Sequence, residues 1–158
     1  MAATGNRGRA GTPPLDVAAG LVFHQGRLLI ARRPEGTHLA GCWEFPGGKV
    51  EPGETIAQCL ERELQEELGI RVSVGPLVER VDHAYPEKTV RLSFFACHWL
   101  GGEPRPLGCA AFRWVAAEEL AHYQFPGADA RLLERLRTEP GLWSSPPPPV
   151  NPASLPVP

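Results

Sequence analysis

Residues 48–70 of this chain read GKVEPGETIAQCLERELQEELGI, and this stretch decides the fold. It is a Gly-rich loop that runs into a helix whose two ends are marked in the sequence. Thr55 and Gln58 form a T-x-x-Q capping box, in which the hydroxyl and the amide each satisfy a backbone N–H of the first turn. Gly69 occupies the position at which a left-handed residue closes the last turn. The pattern therefore predicts a helix over residues 56–68.

This helix carries acidic side chains on the face that should turn inward. At about 100° per residue, its apolar face comprises Ile56, Cys59, Leu60, Leu64 and Leu68. Glu63 and Glu67 fall within that face, and Glu66 lies at its edge. Carboxylates at this spacing repel one another, and burying them unpaired costs several kcal/mol or forces protonation. A bound hard cation such as Mg²⁺ removes both problems; an ordinary solvated acidic face is the alternative.

The same stretch resembles the signature of the Nudix hydrolases, which is Gly, five residues, Glu, seven residues, then Arg-Glu-apolar-x-Glu-Glu-x-Gly-apolar. The matching positions are Gly48, Glu54, Arg62, Glu63, Leu64, Glu66, Glu67, Gly69 and Ile70. Resemblance to the MutT branch of this family spans about residues 16–137. It implies an α+β Nudix fold, an α/β/α sandwich in which the signature loop and helix lie beside a central mixed sheet.

The resemblance also implies an activity, the hydrolysis of a (deoxy)nucleoside triphosphate to the monophosphate and pyrophosphate. The implied cofactor is Mg²⁺, with Mn²⁺ as an alternative. Sanitation of oxidised nucleotides such as 8-oxo-dGTP, which serves DNA repair, is the first hypothesis. A CTP or other pyrimidine nucleotide pyrophosphohydrolase is the second, and cleavage of ADP-ribose or a dinucleoside polyphosphate is the third. A non-catalytic nucleotide-binding domain is the rival class, but such domains generally lose the acids that this chain keeps.

Roles within the signature follow from the resemblance and from metal chemistry. Glu66 and Glu67 are expected metal ligands, together with a backbone carbonyl at or beside Gly48. Glu63 is a third ligand or the general base. Arg62 is expected to orient Glu63 or its neighbours through a bidentate pair. Earlier in the loop, Glu54 is either a further ligand or a structural acid that holds the loop.

Five residues outside the helix are candidates for substrate binding. Arg33 and Lys49 are expected to neutralise phosphate charge. Phe45 either stacks on a base or packs in the core, and Tyr85 is either a wall of the base pocket or a plain hairpin aromatic. Asp129 opens a second predicted helix, where it either reads the base or caps the helix.

The loop before Trp114 departs from the pattern of the family. Relatives often carry a Glu or Gln there that serves the metals or the water, whereas residues 106–114 read PLGCAAFRW, without a carboxylate. Either Glu103 reaches into the site or the site works with fewer acids.

Composition bounds the remaining possibilities. The 158 residues carry a net charge of −2, so there is no overall basic field for a nucleic acid polymer, and Arg accounts for 14 of the 16 basic residues. The four cysteines lack metal-binding or redox spacing, which favours a reduced cytoplasmic protein. No apolar run is long enough for a membrane span. Oligomeric state is left open.

The expected domain covers residues 15–138, between a disordered lead (1–14) and a Pro-rich disordered tail (139–158). The predicted strands are residues 17–23, 27–32, 71–78, 79–84, 90–99 and 111–115, followed by a short helix at 117–122 and a second long one at 127–137.

Overall fold

The computed structural model describes residues 13–144, so the expectations for residues 1–12 and 145–158 lie outside the described part of the chain. The strands are β1 (Leu15–His24), β2 (Arg27–Arg32), β3 (Trp43–Glu44), β4 (Gly47–Lys49), β5 (Arg71–Ala84), β6 (Thr89–Gly101) and β7 (Ala111–Val115). The helices are α1 (Ile56–Leu68) and α2 (Ala130–Thr138). Three short 3₁₀ turns cover Ala117–His122, Gly127–Asp129 and Pro140–Trp143.

The strands form one mixed sheet in the order β3-β2-β1-β6-β5, with β4 paired to β1 and β7 paired to β2. Only the β1–β6 pair is parallel among the strand pairs of the described residues. Because successive side chains of a strand point to opposite faces, β1 supplies two cores. Ala18 and Val22 pack under α1, whereas Leu21 and Phe23 pack with α2 on the other face. The sheet therefore lies between helices, which confirms the predicted α+β sandwich.

Helix α1 has the predicted bounds and the predicted caps. The Thr55 hydroxyl accepts from the Gln58 N–H at 3.1 Å, and the Gln58 amide oxygen accepts from the Thr55 N–H at 2.9 Å. Gly69 closes the helix in the left-handed conformation, with φ of 69°. Four apolar side chains of the predicted inner face are buried, namely Cys59, Leu60, Leu64 and Leu68. Their packing fixes the rotation of α1, and with it the positions of the carboxylates.

Three elements differ from the sequence-based expectations. Residues 71–84 form a single strand with bulges around Val74 and Leu77 rather than two strands. The second helix begins at Ala130, after the 3₁₀ turn at Gly127–Asp129. Ordered structure also continues past Thr138, because Trp143 packs edge-on against Phe23 with ring centroids 5.3 Å apart. An aromatic side chain with a partner on the sheet stabilises a segment whose composition alone predicts an extended tail.

Neither helix of the described chain combines the length and the apolar character that a membrane crossing requires. Strand β4 is the element that positions the site. This short strand pairs with β1 and leads directly towards α1, so it brings the signature loop against the middle of the sheet.

Candidate active site

Two adjacent glycines let the signature loop approach the sheet and α1 closely. A Cβ on Gly47 would overlap the carbonyl oxygen of Ala18, because β4 lies tightly against β1. A Cβ on Gly48 would overlap the carboxyl group of Glu63. The backbone of the loop therefore touches the acidic part of α1 only because both side chains are absent.

Arg62 holds three acids of the signature stretch, Glu54, Glu63 and Glu66. Its Nε lies 2.7 Å from Glu54 Oε2 and its Nη2 lies 3.0 Å from Glu54 Oε1, a bidentate pair. Its Nη1 donates to Glu63 Oε1 at 2.8 Å and lies 3.4 Å from Glu66 Oε2. The hydrogen bonds from Arg62 hold the pKa of Glu54 at about 2. Glu54 also accepts from the backbone of Glu51 at 3.0 Å, so its geometry is that of an acid that holds the loop.

Glu67 is the acid that lacks such a partner. Its Oε2 is buried and makes no hydrogen bond within residues 13–144. Burial, together with the nearby charges of Glu44 and Glu63, raises the pKa of Glu67 to about 8, although a hydrogen bond from the Gly47 backbone acts in the opposite direction. Burial likewise raises the pKa of Glu63, although Arg62 counteracts it. A carboxylate in this position requires either a proton or a cation.

The acids of α1 have the donor chemistry that a hard divalent cation needs. In the described part of the chain, no three His, Cys, Asp or Glu side chains converge closely enough to hold a metal ion, and the acids of α1 are instead drawn towards Arg62. Glu66 in particular is exposed, with 60% of its side chain accessible. The unpartnered oxygen of Glu67 is nevertheless a hard oxygen donor, as are the neighbouring carboxylates. Mg²⁺ prefers ligands of this kind.

A cleft of about 330 Å³ opens beside Glu67. Its size is in the range of small-molecule sites. The fold brings every predicted substrate-binding residue to this cleft, where the lining includes Arg33, Phe45, Gly48, Lys49, Glu67, Tyr85 and Asp129. Residues that lie up to 96 positions apart in the sequence therefore share one site with the signature loop.

Within this cleft, the two aromatic candidates occupy different environments. Phe45 is buried, stacks on Phe125 with centroids 5.1 Å apart, and meets Phe94 edge-on. It is thus a core residue with one surface on the cleft. Tyr85 is 38% exposed and contacts His83 edge-on at 4.5 Å, so it stands at the rim.

Asp129 is a buried residue of the cleft wall. It is only 5% exposed, and its side chain makes no capping hydrogen bond to α2. Burial and, to a lesser extent, the charge of Glu44 raise its pKa to about 7. The capping role that the sequence allowed is therefore absent, and the carboxyl group faces the cleft instead.

Glu44 is the site residue that the sequence did not reveal. It lines the cleft, and its carboxylate accepts from Arg33 Nη1 at 2.7 Å. Its charge acts on both Glu67 and Asp129. The available signal was a single acid between Trp43 and Phe45 in an otherwise apolar segment, where a charge needs a partner.

The loop before β7 does not bring a carboxylate to the site. Its backbone lies along the end of α1, where the N–H groups of Leu107 and Gly108 both donate to the Glu67 carbonyl at 3.0 Å. Glu103 is exposed and is not among the residues that line the cleft. Of the two sequence-based alternatives, the geometry matches a site with fewer acids.

Comparison with known proteins agrees with this geometry. The family model described as the NUDIX domain matches residues 18–135. An 8-oxo-dGTP diphosphatase of Haemophilus influenzae is 40% identical over 127 residues, covering 79% of this chain and 93% of that protein. A CTP pyrophosphohydrolase of Escherichia coli is 37% identical over 120 residues, covering 76% and 89%. The crystal structure of a MutT protein from Methanosarcina mazei superposes with a TM-score of 0.70 at 28% identity, covering 81% and 96%.

Proposed function

The chain belongs to the NUDIX domain family and is a nucleotide hydrolase, and from this premise we propose that its main substrates are oxidised nucleoside triphosphates such as 8-oxo-dGTP. The products are the monophosphate and pyrophosphate. The observation that carries the proposal is a single cleft that Asp129 lines together with Glu67 and Lys49 of the signature stretch. A nucleoside triphosphate needs both a polar group that can bind its base and charged groups that can bind its polyphosphate, within one cleft.

Nudix hydrolases generally use a divalent metal, and we propose Mg²⁺ for this chain. Glu63, Glu66, Glu67 and the Gly48 carbonyl would hold it, with Glu63 as the third ligand or the general base. When bound, such an ion polarises a phosphoryl oxygen and lowers the pKa of a coordinated water. Arg62 orients Glu63 through the 2.8 Å contact, and this contact opposes the effect of burial, which raises the pKa of Glu63. Lys49, an exposed cation on the wall of the cleft, neutralises phosphate charge.

A pyrimidine nucleotide is the second candidate substrate. Asp129 and Glu44 give the inner cleft two carboxyl groups, which accept hydrogen bonds from amino groups. The exocyclic amine of cytosine offers such a donor. The similarity to the Escherichia coli CTP pyrophosphohydrolase supports this alternative.

The test is chromatographic analysis of the products formed in the presence of Mg²⁺ from 8-oxo-dGTP, dGTP, CTP, UTP, ADP-ribose and a dinucleoside polyphosphate, with pyrophosphate measured in addition for the triphosphates. A higher kcat/KM for 8-oxo-dGTP than for dGTP supports nucleotide sanitation, and a preference for CTP supports the second candidate. Chelation with EDTA should stop the reaction. Turnover of ADP-ribose or the dinucleoside polyphosphate alone would contradict the proposal.

A further inference from the structure

The segment that precedes α2 is held against strand β3 by two aromatic pairs. Trp43 meets Tyr123 edge-on with ring centroids 4.9 Å apart, and Phe45 stacks on Phe125 at 5.1 Å. Between these pairs, the Trp43 N–H donates to the Gln124 carbonyl at 2.8 Å. Because β3 is an edge strand, this hydrogen bond uses a donor that the sheet leaves free. We call the four aromatic side chains the clasp, namely Trp43, Phe45, Tyr123 and Phe125.

Two parts of the cleft wall continue directly from the clasp. On one side the chain runs from Phe45 into β4 and the signature loop. On the other side it runs from Phe125 to Asp129, which lines the cleft. Of the hydrogen bonds that the described chain makes, only the one donated by Trp43 joins residues 123–129 to the sheet. The clasp therefore sets the distance between Asp129 and the signature loop.

Asp129 depends on this arrangement because its side chain is not anchored to α2. The carboxyl group makes no capping hydrogen bond, so its position follows that of the backbone. Trp43 is in turn covered by the guanidinium of Arg113, whose Cζ lies 5.8 Å from the ring centroid. A cation over an indole is attracted to the ring face and favours one orientation of the ring.

We propose that Trp43 and Tyr123 are positioning residues, which fix the Asp129 wall of the cleft relative to the signature loop and so determine which nucleotides fit. Neither residue lines the cleft, so both act through the segment that they hold. This inference rests on the proposed function and deepens it. Substrate choice then depends on a contact between two rings outside the cleft as well as on the groups that touch the nucleotide.

The physical reason is the strict geometry of binding contacts. Hydrogen bonds weaken steeply with misalignment, and a displacement of about 1 Å costs about 100-fold in rate. A nucleotide that fits the wall loses more from such a displacement than one that already fits poorly. KM should change more than kcat, because the variants leave β4 paired with β1 and the signature loop in place.

The test is a double-mutant cycle of Trp43→Leu and Tyr123→Leu in the full chain. The measured quantity is the ratio of kcat/KM between the better and the poorer nucleotide, for 8-oxo-dGTP with dGTP and for CTP with UTP. Each single variant should lower the ratio about tenfold in the pair that the wild-type protein distinguishes more strongly. The double variant should lower it no further, because the two rings act as one unit.

Trp143→Leu is the matched control. It removes an indole that packs against the same core but does not line the cleft. It should destabilise the protein and leave the ratio unchanged. Trp43→Phe keeps an aromatic edge for Tyr123, so it should restore most of the ratio that Trp43→Leu loses. If Trp43→Leu proves to be unfolded by circular dichroism, Tyr123→Leu and Trp43→Phe still test the clasp.

Amide hydrogen exchange of the protein without nucleotide provides a readout that needs no turnover. Trp43→Leu and Tyr123→Leu should each accelerate exchange at position 43 and at Asp129 at least about tenfold relative to the amides of α1. Trp143→Leu should not. The loss of a core side chain alone would accelerate exchange at these two positions in all three variants.

Equilibrium binding of CMP, UMP, 8-oxo-dGMP and dGMP separates this inference from the proposed function. If the wild-type protein hydrolyses no nucleotide but its binding preference and its exchange rates depend on the clasp, the proposed function fails and the inference stands. An unchanged preference in Trp43→Leu, or an equal loss of preference in Trp143→Leu, would overturn the inference. Losses that multiply in the double variant would overturn it as well.

Discussion

Glu67 is a carboxyl group in a position that disfavours its ionised form. Burial and the neighbouring charges of Glu44 and Glu63 raise its pKa to about 8 from an ordinary value of 4.5. Because the folded-state pKa is the higher one, this group contributes stability that is fully present below pH 4.5 and is lost as the pH rises through 8. A side chain that weakens the fold at neutral pH, in a cleft, is characteristic of a functional residue.

We therefore expect Glu67→Gln to lower kcat at least about 100-fold while leaving the protein as stable as wild type, or more stable, at pH 8. The change is isosteric and removes a buried like charge. Steady-state kinetics and urea unfolding at pH 8 measure the two effects. Glu61→Gln, an exposed position on the same helix, is the control and should change neither. Unimpaired turnover in Glu67→Gln would remove Glu67 from the mechanism.

Asp129, which lines the same cleft, also has a raised pKa because it is buried. Burial and Glu44 raise its pKa to about 7 from 3.8. The stability contribution is present below pH 3.8 and is lost as the pH rises through 7, with a slope of up to about 1.4 kcal/mol per pH unit. At neutral pH the carboxyl group is thus close to its midpoint, where it can donate as well as accept a hydrogen bond.

Asp129→Asn should remove the pH-dependent contribution of Asp129 to the free energy of unfolding. The difference in the free energy of unfolding, variant minus wild type, should rise between pH 4 and pH 7, as followed by urea unfolding across that range. The ranking of nucleotide substrates should change more than the best kcat. A constant difference across the pH range would show that Asp129 does not titrate as its burial indicates.

At the scale of elements, the site depends on the close contact of β4 with β1 and α1. The strand pairs with Val17, Ala18 and Ala19 and then carries Gly48 against Glu63. A Cβ on Gly47 would force the backbone of Ala18 to shift, whereas a Cβ on Gly48 would displace the carboxyl end of the Glu63 side chain. The buried apolar face of α1 packs against the sheet. This packing fixes where the acids of α1 lie relative to the loop.

Gly47→Ala should lower the free energy of unfolding by about 1–3 kcal/mol, because the added methyl group must displace the backbone of Ala18. Chemical denaturation measures this effect. Gly141→Ala is the matched control: a Cβ there meets no atom within 4 Å, and the φ of this glycine lies outside the left-handed range. A variant of Gly47 as stable as that control would show that β4 can move away from β1 without cost.

At the scale of the whole molecule, the chain beyond α2 closes the core on the face of the sheet opposite α1. The indole N–H of Trp143 donates to the Leu136 carbonyl at 2.8 Å, and its ring meets Phe23. Both partners belong to the core under α2. Residues 140–143 therefore stabilise the domain, although their composition resembles that of the segment that follows.

Trp143→Ala should accordingly destabilise the protein by about 2–4 kcal/mol through lost packing and a lost hydrogen bond. The melting temperature and the urea midpoint report the change. Leu107→Ala, at a position that is 55% exposed, should stay within about 0.5 kcal/mol of wild type. Equal stability of the two variants would place Trp143 outside the folded core.

The sequence alone determined the features that depend on local spacing. The bounds and caps of α1, the rotation that turns Glu63 and Glu67 inward, and the left-handed Gly69 all follow from interactions within a few residues. The mixed sheet and the family followed from the resemblance carried by the same stretch. For these features the structure confirms the predictions and adds the distances.

Only the tertiary structure decided which of two roles the isolated residues take. Asp129 does not cap α2, Phe45 packs in the core, and Arg33 pairs with Glu44 across 11 positions of sequence. Each outcome depends on a partner brought close by the pairing of distant strands. Local sequence spacing does not predict such a partner, because the same residue type is compatible with a local role and with a long-range contact.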